Sequence, residues 1–130
     1  MNEIVNIEVT ENSKSEFVEK FKKRTKEFSL RAITIYRQLK KSEESQIIGK
    51  QFLRSALSVG VNYRAACRAR SKAEFFSKLS ITVEETDEVI FWIEILVESE
   101  IINEQSVSNF KNEGIEILKV LSKARKTLKQ

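Results

Sequence analysis

LRSALSVGVNYRAACRARSKAEFFSKLSI, residues 53–81, joins two amphipathic helical patterns of opposite charge across one short junction. Before the junction, Phe52, Ala56, Val59, Tyr63 and Ala66 recur every three or four residues, the spacing that keeps side chains on one face of an α-helix. Lys50, Arg54, Arg64 and Arg68 fall within about 80° of one another beside that apolar face. After the junction, Phe76, Leu79, Val83, Ile90, Ile93 and Val97 form a second apolar face, flanked by acidic residues. Between the two, Ser71 followed three residues later by Glu74 is a capping-box pattern, in which a hydroxyl accepts the orphaned backbone N–H of a new helix. A basic helix followed closely by an acidic one predicts two antiparallel neighbours.

The same spacing extends in both directions. Upstream, Phe17, Phe21, Phe28, Ala32, Ile35 and Leu39 share one helical face, and the charged and hydroxyl stretch from Lys41 to Ser45 interrupts it, with Ser42 or Ser45 available to cap the next helix. Downstream, Val107, Phe110, Gly114, Ile117, Leu121, Ala124 and Leu128 form a fourth seam, opened by Asn103 as a cap with Ile102 and Val107 placed as a hydrophobic staple. Helices are expected near 17–40, 45–69, 72–101 and 104–128, joined by connections short enough to force antiparallel neighbours. The expected fold is all-α, an antiparallel up-down-up-down four-helix bundle over 17–130, with 1–16 as a flexible or short extended N-terminal arm. Gly60 lies in the middle of a helix, where glycine costs about 1 kcal/mol relative to alanine. A close helix crossing there is the simplest reason for it.

Composition agrees. The chain has 130 residues, no proline and only three glycines, which suits one domain of long helices and argues against an all-β fold. Cys67 is the only cysteine, so no intramolecular disulfide forms, as in a reducing compartment. The N-terminal MNEIVNIEVTENSKSE lacks the basic start and apolar run of a secretory signal, and no apolar run is long enough to span a membrane. A cytoplasmic protein is expected.

Chemistry is limited by what is missing. The chain contains no histidine, which removes Ser-His-Asp and Cys-His pairs as well as the Glu-x-x-His ligands of di-iron bundles. There is no glycine-rich phosphate loop, and Cys67 sits on the apolar side of its helix. The carboxylates of helix three, Glu84, Glu85, Asp87, Glu88, Glu94 and Glu98, lie mostly away from the core face and read as a solvated or interfacial surface. No catalytic residue, metal site or cofactor is expected, and the protein reads as a non-enzyme.

Charge carries more information. The net +4 conceals four blocks: −4 over residues 1–19, +12 over 20–72, −9 over 73–116 and +5 over 117–130. Lys50, Arg54, Arg64 and Arg68, extended by Arg70 and Lys72, are the candidates for contact with the phosphates of RNA or DNA, a binding mode driven by counterion release and carrying little sequence readout. The competing reading is a protein-interaction scaffold, in which these charges pair with acidic residues of another subunit or a client. Helix three is apolar on a second side, through Ile81, Trp92 and Ile95 with Leu96 beside them. Monomers rarely expose such a patch. Ile81, Glu88, Trp92 and Ile95 are therefore the expected oligomer interface, and an acidic row meeting a basic row on the next copy would be a heterologous contact able to close a ring.

The segment RSALSVGVNYRAACRARSKAEFFSKLSI followed by EETDEVIFWIEIL resembles the four-helix-bundle proteins encoded in intervening sequences of 23S rRNA genes, a bacterial group. The shared pattern is Arg-Ser, a small-residue run, Gly-x-Asn, then Ser-Lys and an aromatic-rich helix with an acidic end. The resemblance implies the bundle fold. It also points to the accessory variability protein of diversity-generating retroelements as a model, and hence to a pentameric ring that binds nucleic acid and a reverse transcriptase. By that resemblance Arg54, Arg64, Arg68, Arg70 and Lys72 are the nucleic-acid contacts.

Overall fold

Ser42, Ser71 and Asn103 each turn a connection into a helix. Ser42 Oγ accepts the Ser45 N–H at 3.1 Å, Ser71 Oγ accepts that of Glu74 at 3.0 Å, and Asn103 Oδ1 accepts that of Gln105 at 2.8 Å. Each such cap stabilises its helix by about 1 kcal/mol. In the computed structural model, which describes the backbone of residues 3–129 and the side chains of residues 15–128, the helices are α1 (Glu3–Gln38), α2 (Glu43–Cys67), α3 (Lys72–Glu98) and α4 (Glu104–Lys129). The Glu74 carboxylate lies 3.9 Å from Arg70, so the box at Ser71 is seen through its serine half. Ile102 and Val107, expected as a staple, are both buried in the core.

α1 begins at Glu3 and so takes in most of the 1–16 segment that the sequence set apart as an arm. No proline or glycine interrupts the chain before Gly49, and nothing in this segment breaks a helical backbone. The side chains of residues 1–14 lie outside the described residues. At the other end of α3 the break is sharper than expected, falling at Glu98. Glu100 adopts φ 63°, its N–H reaches Val97 O at 2.9 Å, and the Ile101 N–H reaches Leu96 O at 2.9 Å. That is a Schellman termination with its accompanying apolar contact, since Leu96 and Ile101 are both buried.

Neighbouring helices run antiparallel. Going up α1, Phe21 meets Tyr63, Ser29 meets Ala56, and Tyr36 with Leu39 meets Gly49, so the α2 numbers fall as the α1 numbers rise. On α3 and α4, Ile90 meets Gly114 and Glu94 meets Lys111. α1 and α4 close the bundle more loosely than the other pairs, through Arg24, which grips Glu113 bidentately at 2.6 and 2.7 Å, and through Phe28, stacked on Phe110 at 4.2 Å. The fold is the expected up-down-up-down bundle.

The core follows the middle of the predicted faces on α1, α2 and α4, where Phe28, Phe52, Val59, Ile117 and Leu121 are almost fully buried, while Phe17 and Leu128 at the ends of those faces are exposed. α3 differs. Its buried face includes Thr82, Thr86, Val89 and Leu96, while Ile90 and Val97 are only partly covered. Two threonines can sit in this core because each hydroxyl donates to a carbonyl one turn back, Thr82 to Lys78 O at 2.9 Å and Thr86 to Thr82 O at 2.7 Å. The expected close crossing at Gly60 is present: a Cβ there would sit 2.6 Å from Ser29 Oγ.

Candidate functional site

α2 turns one unbroken row outward. Ile47, Lys50, Arg54, Leu57, Val61, Arg64 and Arg68 follow one another at alternate steps of three and four, and all seven are exposed. Its four cations are those expected from the sequence; its apolar members, of which Val61 is 62% and Leu57 42% exposed, are additional. On α3 the outward row is Glu84, Asp87, Phe91 and Glu98 at the same spacing, with Phe91 50% exposed. One helix thus shows a basic and aliphatic row, the next an acidic row with an aromatic ring.

Across the seam between them Arg54 is already engaged. Its Nη1 lies 3.1 Å from Glu85 Oε2 and its Nη2 2.6 Å from Glu88 Oε1. Glu88 Oε1 also accepts the Trp92 Nε1–H at 3.1 Å. Burial raises the Glu88 pKa, but the Trp92, Ser55 and Arg54 donors outweigh it and hold the carboxyl below its ordinary value. For Arg54 desolvation is likewise outweighed, by Glu85 and Glu88, and the guanidinium stays charged. Arg54 and Glu88, expected on a nucleic-acid face and a subunit interface, therefore first serve to clamp α2 to α3.

The Trp92 patch is also rearranged. Trp92 is partly buried against the core of its own chain and meets Phe91 edge-on at 5.1 Å. Leu96 is fully buried, and Ile81 and Ile95 are half-covered. The exposed large apolar residue of this helix is Phe91, one position and about 100° round from Trp92.

The remaining cations are free of that clamp. Lys50, Arg64, Arg68 and Lys72 are exposed and, among the described residues, make no ion pair; Arg70 lies on the turn with Glu74 at 3.9 Å. Arg64 and Arg68 edge a shallow hollow of about 540 Å³ whose other walls are Val61, Ala65 and Glu74. Position dictates this openness, because the last turns of α2 lie opposite the start of α3, where Glu74 is the first carboxylate. The basic run on α1 is less available: Arg24 holds Glu113 and Lys22 lies 3.3 Å from Glu19, while Lys23 and Lys26 are exposed. Tyr63 and Phe52 are buried and offer no stacking surface. Burial, the largest influence, pushes the Cys67 thiol up, away from the reactive thiolate.

A family model described as 23S rRNA-intervening sequence protein matches residues 19–123. The chain belongs to this family. Among solved structures, the chain is similar to a Bacteroides thetaiotaomicron protein of unknown function from the S23 ribosomal protein family, with 33% identity and a TM-score of 0.76 over 84% of this chain and 97% of that one. No curated protein matches. The matched region holds both outward rows, the Arg54 clamp and the α2–α3 turn. Among the described residues, no helix is long and apolar enough to cross a membrane.

Proposed function

We propose that this member of the family is a non-enzymatic bundle that binds RNA or DNA through phosphate contacts, with Arg64, Arg68, Arg70 and Lys72 at the α2–α3 turn as the principal contacts and Lys50 as an outlying one. The observation that carries this reading is the division of labour on α2. Arg54 is held by two carboxylates of its own chain, whereas Arg64 and Arg68 project beside Arg70 and Lys72 and make no ion pair among the described residues. Guanidinium groups in that state exchange counterions for phosphate. Tyr63 and Phe52, the aromatic rings of α2, are buried and offer these cations no stacking partner for bases, so unrelated sequences bind with similar strength. Fluorescence anisotropy with two unrelated RNA oligonucleotides tests this. Similar affinities for both, lost together in Arg64→Gln/Arg68→Gln, support it; unchanged binding by the double variant refutes it.

A second reading is favoured by the apolar members of the two rows. Leu57 and Val61 on α2 and Phe91 on α3 are exposed among opposite charges, the composition expected where an α2 row packs on the α3 row of another copy. Such head-to-tail contacts would build a homo-oligomeric ring, of five copies if the retroelement accessory protein is a guide, and the charges would then serve subunit or client pairing. In this reading Val61→Glu lowers the mass seen by light scattering. A mass equal to one protomer in the unaltered protein removes the reading.

A further inference from the structure

At the opposite end of α2, roughly 37 Å from Arg68 along the helix axis, the α1–α2 connection encloses a second basic hollow. It has a volume of about 410 Å³ and is walled by Tyr36, Arg37, Leu39, Lys40, Lys41 and Ser45, with Gln46 at its rim. Three of these residues are cations, and no carboxylate is among them. Arg37, Lys40 and Lys41 are exposed and make no ion pair among the described residues.

Two features show that the hollow is built into the packing. Gly49 lets the Tyr36 ring and Leu39 lie flat on α2: a Cβ there would stand 2.8 Å from Leu39 Cδ1 and 3.0 Å from Tyr36 Cε1. Ser45 is only 3% exposed, and among the described residues its recorded side-chain contact is Ser42 Oγ accepting its backbone N–H, which leaves the Ser45 hydroxyl itself without a partner. No sealed side-chain polar atom of the described residues lacks a partner, so this hydroxyl opens on the hollow. That hydroxyl lines the same hollow as the three cations. The helix dipole of α2 adds positive potential at the same end, partly offset by Glu43 and Glu44 in its first turn.

We infer that the α1–α2 hollow is a binding site for a mononucleotide, its phosphate held by Arg37, Lys40, Lys41 and the Ser45 hydroxyl and its base laid against Tyr36 and Leu39. The phosphate follows from the three cations and the Ser45 hydroxyl, because oxyanions accept several charge-assisted hydrogen bonds at once. The base follows from the apolar wall and from the volume, which falls in the range of small-molecule sites. This site is independent of the α2–α3 turn.

Titration calorimetry of the full chain with AMP, adenosine and inorganic phosphate tests the inference. AMP is expected to bind saturably at one site per chain and at least tenfold more tightly than either fragment. Arg37→Gln/Lys41→Gln, at exposed positions that leave folding intact, should abolish binding, and Ser45→Ala should weaken it about tenfold, as for loss of a hydrogen bond to a charged group. Arg64→Gln/Arg68→Gln should leave it unchanged. Absence of saturable AMP binding, equal binding by phosphate alone, or full binding by Arg37→Gln/Lys41→Gln would each overturn it.

Discussion

Arg54 and Glu88 meet at 2.6 Å across the α2–α3 seam, and the same Glu88 oxygen holds the indole N–H of Trp92 at 3.1 Å. This contact decides how the outer surface divides. It withdraws one arginine from the basic row and one carboxylate from the acidic row, and it fixes Trp92 within its own protomer. The pair is partly solvated, so its net worth is modest, about 0.2 to 1 kcal/mol. Arg54→Ala and Glu88→Ala should each destabilise the fold by an amount of that order, with a coupling energy in the double variant. Urea denaturation of the four proteins measures it, and strict additivity would show that the clamp carries no energy.

Glu88 also makes stability depend on acid. Its folded pKa lies below the ordinary value of 4.5, so its contribution is fully present above about pH 4.5 and is lost as pH falls through the folded pKa. Fluorescence of Trp92, the only tryptophan, reports the change directly. Between pH 5 and 3 the unaltered protein should lose thermal stability more steeply than Glu88→Gln. Parallel profiles would place the acid sensitivity elsewhere.

The Ser29–Gly60 crossing sets the distance between α1 and α2. Ser29 Oγ donates to Ala56 O at 2.6 Å and accepts from the Gly60 N–H at 3.2 Å. Gly60→Ala should destabilise by about 1 to 3 kcal/mol through overpacking, although alanine is the better helix former. Adding Ser29→Ala, which removes the oxygen that a new Cβ would meet, should recover part of the loss. Chemical denaturation of the single and double variants distinguishes this from a simple propensity effect, which would make Gly60→Ala stabilising.

At Glu100 the backbone takes a left-handed conformation that glycine adopts without penalty. Glu100→Gly should therefore raise stability by about 0.5 to 1 kcal/mol while leaving the Leu96–Ile101 termination intact. A lower melting temperature for the variant would contradict the assignment.

The caps at Ser71 and Asn103 and the inward face of α2 were legible because they depend on neighbours in the chain: a hydroxyl or amide two or three residues from its partner, and apolar residues every turn. Helix α3 was harder. It is apolar on several sides, so periodicity alone could not say that Leu96 is buried and Phe91 exposed, nor could hydropathy place Thr82 and Thr86 inside, where local carbonyls satisfy them. The Arg54 clamp was hidden for a different reason. It depends on the register between two helices, and residues 34 apart carry no local sign of meeting. The apolar residues Leu57 and Val61 could have been found by continuing the three-four spacing already visible in the cations.

The salt dependence of RNA binding tests the central account most directly. Measured by anisotropy from 50 to 200 mM salt, log Kobs should fall linearly with log salt for the unaltered protein, and Arg64→Gln/Arg68→Gln should reduce the slope by roughly 1.4 for a single strand, two contacts at about 0.7 each. Arg54→Gln, whose guanidinium is held by Glu85 and Glu88, should alter the slope far less. Affinity that does not change with salt, or a slope that survives loss of Arg64 and Arg68, would contradict phosphate binding at the α2–α3 turn.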